Sequence, residues 1–148
     1  MRSRGLLLDD AGEPRLFHHG STSPTIEATD LDPAFKNVRT VSGARGVSFT
    51  TDAASAMGYT RPGIAHRVKG DKTRGRVLSA HLAMEHPLDI TDAVKKFKKK
   101  GMSFGDAKRE ALKALTPEHD GVIFRGDAYN PDEYQVFSRA QIHARKKP

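Results

Sequence analysis

Apolar positions along this chain come in short bursts, and the spacing within them changes from one burst to the next. In "RLFHH" (Arg15–His19) an apolar pair runs into two histidines, the pattern of a short strand leaving a core. Gly20, Ser21 and Pro24 behind it predict that the strand breaks into a loop. "SPTIEATDLDPAF" predicts one or two helical turns, with Ser23 as cap and Pro24 at the first helical position. "KNVRTVSGARG" and the basic "RPGIAHRVKGDKTRG" read as loops. "GVSFTT" (Gly46–Thr51) alternates and is rich in β-formers, so it predicts a strand, and Asp52 caps a short helix in "DAASAMGY". "RVLSAHLAM" (Arg76–Met84) predicts another strand, with "HPLDITD" turning out of it. Two helices follow with Gly101 between them; in the second, Phe104, Ala107, Ala111, Leu112 and Leu115 recur at helical spacing. "DGVIFRG", "EYQVFS" and "AQIHA" close the pattern as short strands. Strands and helices mix without regular βαβ alternation, which predicts an α+β fold.

No repeat or low-complexity linker divides the 148 residues, so the expectation is one domain over 1–148, with a loose lead-in at 1–13 and a basic tail at 144–148. The absence of cysteine excludes disulfides, thiolate nucleophiles and cysteine-ligated zinc, and fits a cytoplasmic protein. Apolar runs are too short to span a membrane, and three leucines cut off by two aspartates do not make a signal peptide. A net charge of +7 favours a polyanionic partner, either nucleic acid or an acidic protein. Eight of the basic residues sit in "KKFKKKG" (Lys95–Gly101) and the tail, where a solvated face is the plain alternative. Nothing implies an oligomer, so a monomer is expected. The paired histidines are a poor metal site, because adjacent strand side chains diverge and no carboxylate cluster follows at ligand spacing.

Three segments carry candidate chemistry: "HHGST" at the end of one strand, "GVSFTTDAASAMGY" running from strand into helix, and "NPDEYQVF" opening a late strand. Their order and form resemble the NAD-contacting segments of the ADP-ribosyltransferase superfamily, in the His-Tyr-Glu branch of diphtheria toxin and the poly-ADP-ribose polymerases, and in particular its small bacterial and phage members. His19-Gly20-Ser21 is similar to that branch's first motif. Gly46 to Phe49, with Tyr59 ten residues beyond Phe49, is similar to the second, and Glu133 to Phe137 to the third. The resemblance runs from about residue 14 to residue 143.

The resemblance implies two packed, mostly antiparallel sheets flanked by short helices, with NAD as co-substrate in a central cleft and no metal. It assigns His19 to the adenosine ribose, the Gly20 backbone to the nicotinamide amide and Ser21 to a sugar contact. Ser48 and Phe49 line the pocket, Tyr59 stacks on nicotinamide, and Glu133 is the catalytic carboxylate. The implied reaction is substitution at the anomeric carbon of the nicotinamide ribose through an oxocarbenium-like transition state, where a fixed carboxylate is the natural stabiliser.

The branch's first middle-segment tyrosine is Ser48 here, which removes an aromatic wall; Phe49, Tyr129 and Tyr134 are the substitutes on offer. "SFTT" is also similar to the Ser-Thr-Ser strand of the arginine-modifying branch. That branch has a glutamate two residues before the catalytic one, where this chain has Pro131. The expected activity is mono-ADP-ribosyl transfer to a protein or nucleic acid. The alternatives are an RNA 2′-phosphotransferase that consumes NAD, and a nucleic-acid-binding module that has lost catalysis.

Overall fold

Short β-branched and aromatic runs become strands because each has one face to bury. In the computed structural model, which describes residues 5–21, 46–58, 76–127 and 129–144, these strands form two sheets. The first has the order β1 (Phe17–Ser21), β3 (Arg76–Leu82), β7 (Ile142–Ala144). The second has the order β2 (Val47–Phe49), β6 (Glu133–Val136), β5 (Gly121–Phe124), β4 (Pro87–Asp89). All ladders are antiparallel except β4 with β5. Three α-helices, α1 (Ala53–Gly58), α2 (Thr91–Lys99) and α3 (Phe104–Ala111), and two single 3-10 turns, Leu112–Ala114 and Arg139–Gln141, complete the described elements, and the fold is α+β.

Strand alternation divides the second sheet between two cores. Val47, Phe49, Ile123, Tyr134 and Val136 meet Phe17, Leu78, Ala80 and Leu82 of the first sheet. The Phe17 and Tyr134 ring centroids lie 4.7 Å apart in a tilted pair. On the other face, Val122 and Phe124 pack against Ile90, Val94, Ala107 and Ala111 of the α2–α3 layer. Ser48, Glu133 and Gln135 alternate with the inter-sheet residues and so belong to this second face. The two sheets are stitched at one corner, where the His18 amide donates to the Thr50 carbonyl at 2.7 Å and the Thr50 amide donates back at 2.9 Å.

Local signals placed the helix ends. Asp52 accepts from the Ala54 amide and the Ser55 hydroxyl at the start of α1, and hydrogen bonds from Ser55 and Ala54 hold its carboxyl below the usual range. Gly101 takes φ +95 between α2 and α3, a backbone region that only glycine enters cheaply. Ser103 then caps α3 by accepting from the Asp106 amide.

Three expectations are corrected. β1 does not break after His19: Gly20 and Ser21 remain paired with Val77 and Arg76, because β3 is long enough to carry the ladder on. "HPLDITD" is not only a turn, since Pro87–Asp89 pairs parallel to β5 as an edge strand, where proline's missing N–H costs no ladder bond. The lead-in is tied down over residues 5–14: the Leu7 amide donates to the Leu82 carbonyl, the Arg15 amide to the Leu7 carbonyl, and Leu6 bridges Ala83. The predicted turns at 23–35, the predicted loops over residues 36–45 and 61–75 and the 145–148 end of the tail lie outside the described residues. No described helix is long and apolar enough to cross a membrane.

Gly46 opens β2 where a Cβ would stand 2.5 Å from Gln135 Nε2 and 2.9 Å from the Val136 carbonyl oxygen. A Gly46→Ala chain is therefore expected to lose about 1–3 kcal/mol of stability to overpacking. Urea unfolding followed by circular dichroism checks this, and an unchanged midpoint would refute the close approach.

Candidate active site

The candidate face is set by pairing register. β2 runs antiparallel to β6 with Ser48 opposite Gln135 and Phe49 opposite Tyr134. Glu133 begins β6 one pair further on, so its side chain rises on the same face as Ser48. The Ser48 hydroxyl donates to Glu133 Oε1 at 3.0 Å, and the Lys108 ammonium of α3 donates to Glu133 Oε2 at 2.5 Å. Both carboxylate oxygens thus have a donor, and the Glu133 side chain keeps 25% of its exposure for an incoming group.

Ser48 has a second contact. Its backbone carbonyl accepts from His19 Nδ1 at 2.8 Å, across from the first sheet. An acceptor at that distance fixes the proton on Nδ1 and leaves Nε2 with its lone pair. Burial pushes the His19 imidazole below its ordinary value, and the opposing pull of the Ser48 hydrogen bond does not offset it. His19 is therefore a neutral ring at neutral pH, able to accept a hydroxyl proton at Nε2.

A clamp beside Glu133 holds the end of β2 in place. Asp132 Oδ1 accepts from the Thr50 hydroxyl at 2.6 Å and from the Thr51 amide at 2.8 Å, and its Oδ2 accepts from the Thr51 hydroxyl. Because Asp132 adjoins Glu133 and Thr50 lies two residues past Ser48, the clamp also fixes the Ser48–Glu133 spacing.

The predicted site residues separate into distinct places. His19, Ser48 and Glu133 are linked through Ser48. Gly20 and Ser21 extend β1 beyond His19. Phe49 is 2% exposed in the inter-sheet core, its ring centroid 5.4 Å from that of His19, so it backs the histidine and does not share the Ser48–Glu133 face. Tyr59 lies outside the described residues. Of the substitute aromatics, Tyr134 is in the core against Phe17, with its hydroxyl pushed up by burial, whereas Tyr129 is 91% exposed. The neighbouring His18 faces away, its Nδ1 at 2.8 Å from the Ser79 hydroxyl.

Lys108, Asp132 and Gln135 were not among the candidates. Lys108 occupies a position within the Phe104, Ala107, Ala111 stripe, and a lysine on an apolar stripe is a signal that it pairs inside. Asp132 could have been found as a second acid beside Glu133. Gln135 is 1% exposed with neither amide atom bonded among the described residues. Only its register with Ser48 marks it. Among the described residues no group of three His, Asp or Glu side chains stands close enough to hold a metal ion.

The depressed His19 value has a consequence for stability. The unfolded imidazole takes a proton as pH falls through about 6.5 while the folded ring does not, so the unfolded state binds more protons and stability falls. The loss stops once pH is below the folded value. Denaturation midpoints between about pH 7.5 and about pH 5.5 should fall more for the wild type than for His19→Gln. Equal losses would contradict a buried neutral ring.

The chain matches the family described as ADP-ribosyltransferase in polyvalent proteins over residues 9–146. No curated protein matches the chain. A match of that extent, on two sheets that bring His19, Ser48 and Glu133 together, makes this chain a member of the ADP-ribosyltransferase family of polyvalent proteins.

Proposed function

We propose that the chain cleaves the nicotinamide–ribose bond of NAD at Glu133 and transfers single ADP-ribose units to a macromolecular acceptor. The observation that carries this reading is the Ser48 junction: one residue holds the candidate carboxylate through its hydroxyl and the candidate sugar-binding histidine through its carbonyl. The family's co-substrate is NAD, and the residues fit its nicotinamide ribose. Glu133 offers acceptor oxygen to a hydroxyl of that ribose, and His19 Nε2 offers an acceptor to the adenosine ribose.

The chemistry follows from these groups. As the C–N bond lengthens, its electron pair leaves with nicotinamide, which departs neutral, and positive charge develops on the sugar. A carboxylate whose orientation is already fixed stabilises that charge without reorganising. An acceptor heteroatom then supplies the electron pair of the new bond to the anomeric carbon, and its proton passes to the Glu133 carboxylate. The Ser48 hydroxyl supports this reading in place of the missing tyrosine, exchanging an aromatic wall for a donor on the reacting carboxylate.

Charge supports a polyanionic acceptor, nucleic acid or acidic protein. Lys95, Lys96, Lys99 and Lys100 of the α2 segment are exposed and have no carboxylate partner among the described residues. Lys98 ties this basic helix to Asp127 at 3.3 Å. Asp127, held down to about 2 by hydrogen bonds from Tyr129 and Asn130 and by Lys98, shapes the turn that presents Tyr129 ahead of Glu133. A lysine-rich face beside an exposed ring is the composition that single strands favour.

The test is incubation with labelled NAD and a bacterial lysate, followed by protease or nuclease digestion. Label should enter macromolecules, and Glu133→Gln should lower nicotinamide release by about 100-fold or more. Loss of label under nuclease or under protease names the acceptor. Nicotinamide release without incorporation would make the chain a glycohydrolase. Intact NAD together with salt-sensitive nucleic-acid binding indifferent to Glu133 would favour a binding module.

A further inference from the structure

Lys108 is hard to explain as a stability device. Its side chain is 4% exposed, on a helix whose other buried positions are Ala107 and Ala111. A buried ammonium carries a large desolvation cost, and a residue such as methionine would suit this apolar layer at least as well. Its one polar contact among the described residues is Glu133 Oε2. The lysine is therefore accounted for by the carboxylate it touches.

We infer that Lys108 is a positioning residue for Glu133: with the Ser48 hydroxyl on Oε1, its ammonium on Oε2 fixes the carboxylate plane so that the exposed edge meets the sugar. This role rests on the transferase reading. Two donors from different elements, α3 and β2, leave the glutamate no second orientation that keeps both bonds. A fixed carboxylate matters because small misplacements at a reacting centre cost rate steeply.

A removable lock is the competing role for a cation on a reacting carboxylate. The helix does not support it. α3 is capped by Ser103, anchored by Ala107 and Ala111 in the second core, and packed through Phe104 in a tilted ring pair with Phe124 at a centroid distance of 5.3 Å. A lock needs an element with two stable arrangements, and nothing in this packing provides a second one.

The test compares Lys108→Met, Glu133→Gln and the double variant in the full chain. Lys108→Met should lower kcat for nicotinamide release by about 10- to 100-fold, with KM for NAD nearly unchanged. Chemical rescue gives a readout that lost packing would not. The chain has no cysteine, so Lys108→Cys can be aminoethylated with 2-bromoethylamine while unfolded and then refolded. The restored ammonium should recover most of kcat, whereas the unmodified variant stays slow. The stability cycle is independent of turnover: Glu133→Gln should lower Tm by stranding the buried ammonium, and adding Lys108→Met should raise it again.

Wild-type kcat in Lys108→Met, a raised kcat, or no recovery on aminoethylation would each overturn the role. So would a double variant no more stable than Glu133→Gln. If the wild type releases no nicotinamide, the transferase reading fails and takes the role with it. A coupled stability cycle would then show that Lys108 and Glu133 pair without serving that reaction.

Discussion

Ser48 is the residue on which the site depends, because it is bonded in two directions at once. Its carbonyl receives His19 from one sheet, and its hydroxyl reaches Glu133 on the neighbouring strand of the other. The bond from the first sheet is made by backbone oxygen, so its position is set by the β2–β6 ladder and not by a rotamer. The bond to Glu133 is made by a short side chain with one torsion to fix. Together they convert the relative placement of two sheets into the distance between the His19 imidazole and the Glu133 carboxylate. The His18–Thr50 backbone pair and the Asp132 clamp brace that placement one and two residues away.

The same face concentrates polar groups that a purely structural layer would avoid. Lys108 and Gln135 are both almost fully buried there, on the side of the second sheet that otherwise packs Val122 and Phe124 against helices. Leaving a buried ammonium without its partner costs about 3–5 kcal/mol, and an unbonded amide about 1–3 kcal/mol. The opposite face of the sheet packs Val47, Phe49, Ile123, Tyr134 and Val136 into the inter-sheet core. The inter-sheet face therefore supplies core packing, while the helix-facing layer, itself a second core, also carries the polar groups Ser48, Lys108, Glu133 and Gln135. Alternation along β6 lets one strand do both, with Tyr134 and Val136 facing inward and Glu133 and Gln135 facing α3.

Much of this was legible in the sequence where a local rule governs. The β-rich alternation of "VSF" and "EYQV", the cap at Asp52 and the glycine between α2 and α3 each act over a few residues, and each predicted its element. Motif order singled out His19, Ser48 and Glu133, which the structure links by hydrogen bonds, but not the contacts Ser48 makes. Its loss of an aromatic ring was visible; the hydroxyl's contact with a carboxylate 85 positions away was not. β4 was missed because its pairing with β5 is parallel and non-local, and a strand opened by proline carries little local signal. The tethering of residues 5–14 was hidden for a similar reason, since polar turn residues read as loose until Leu82 supplies a partner. Lys108 was hidden by composition: in a helical stretch rich in lysine, one more reads as solvent-facing unless its place on the apolar stripe is weighed. Phe49 is the opposite case, a motif residue whose own alternation assigns it to the core behind His19.

The most direct measurement is a crystal structure with a carbocyclic NAD analogue, whose nicotinamide ribose has a methylene in place of the ring oxygen and cannot ionise. The nicotinamide ribose should lie with a hydroxyl within hydrogen-bonding distance of the Glu133 carboxylate, while the Ser48 hydroxyl stays on Oε1 and the Ser48 carbonyl on His19. An analogue seated away from Glu133, or one that binds only after the Ser48 bonds to His19 and Glu133 have broken, would contradict the account.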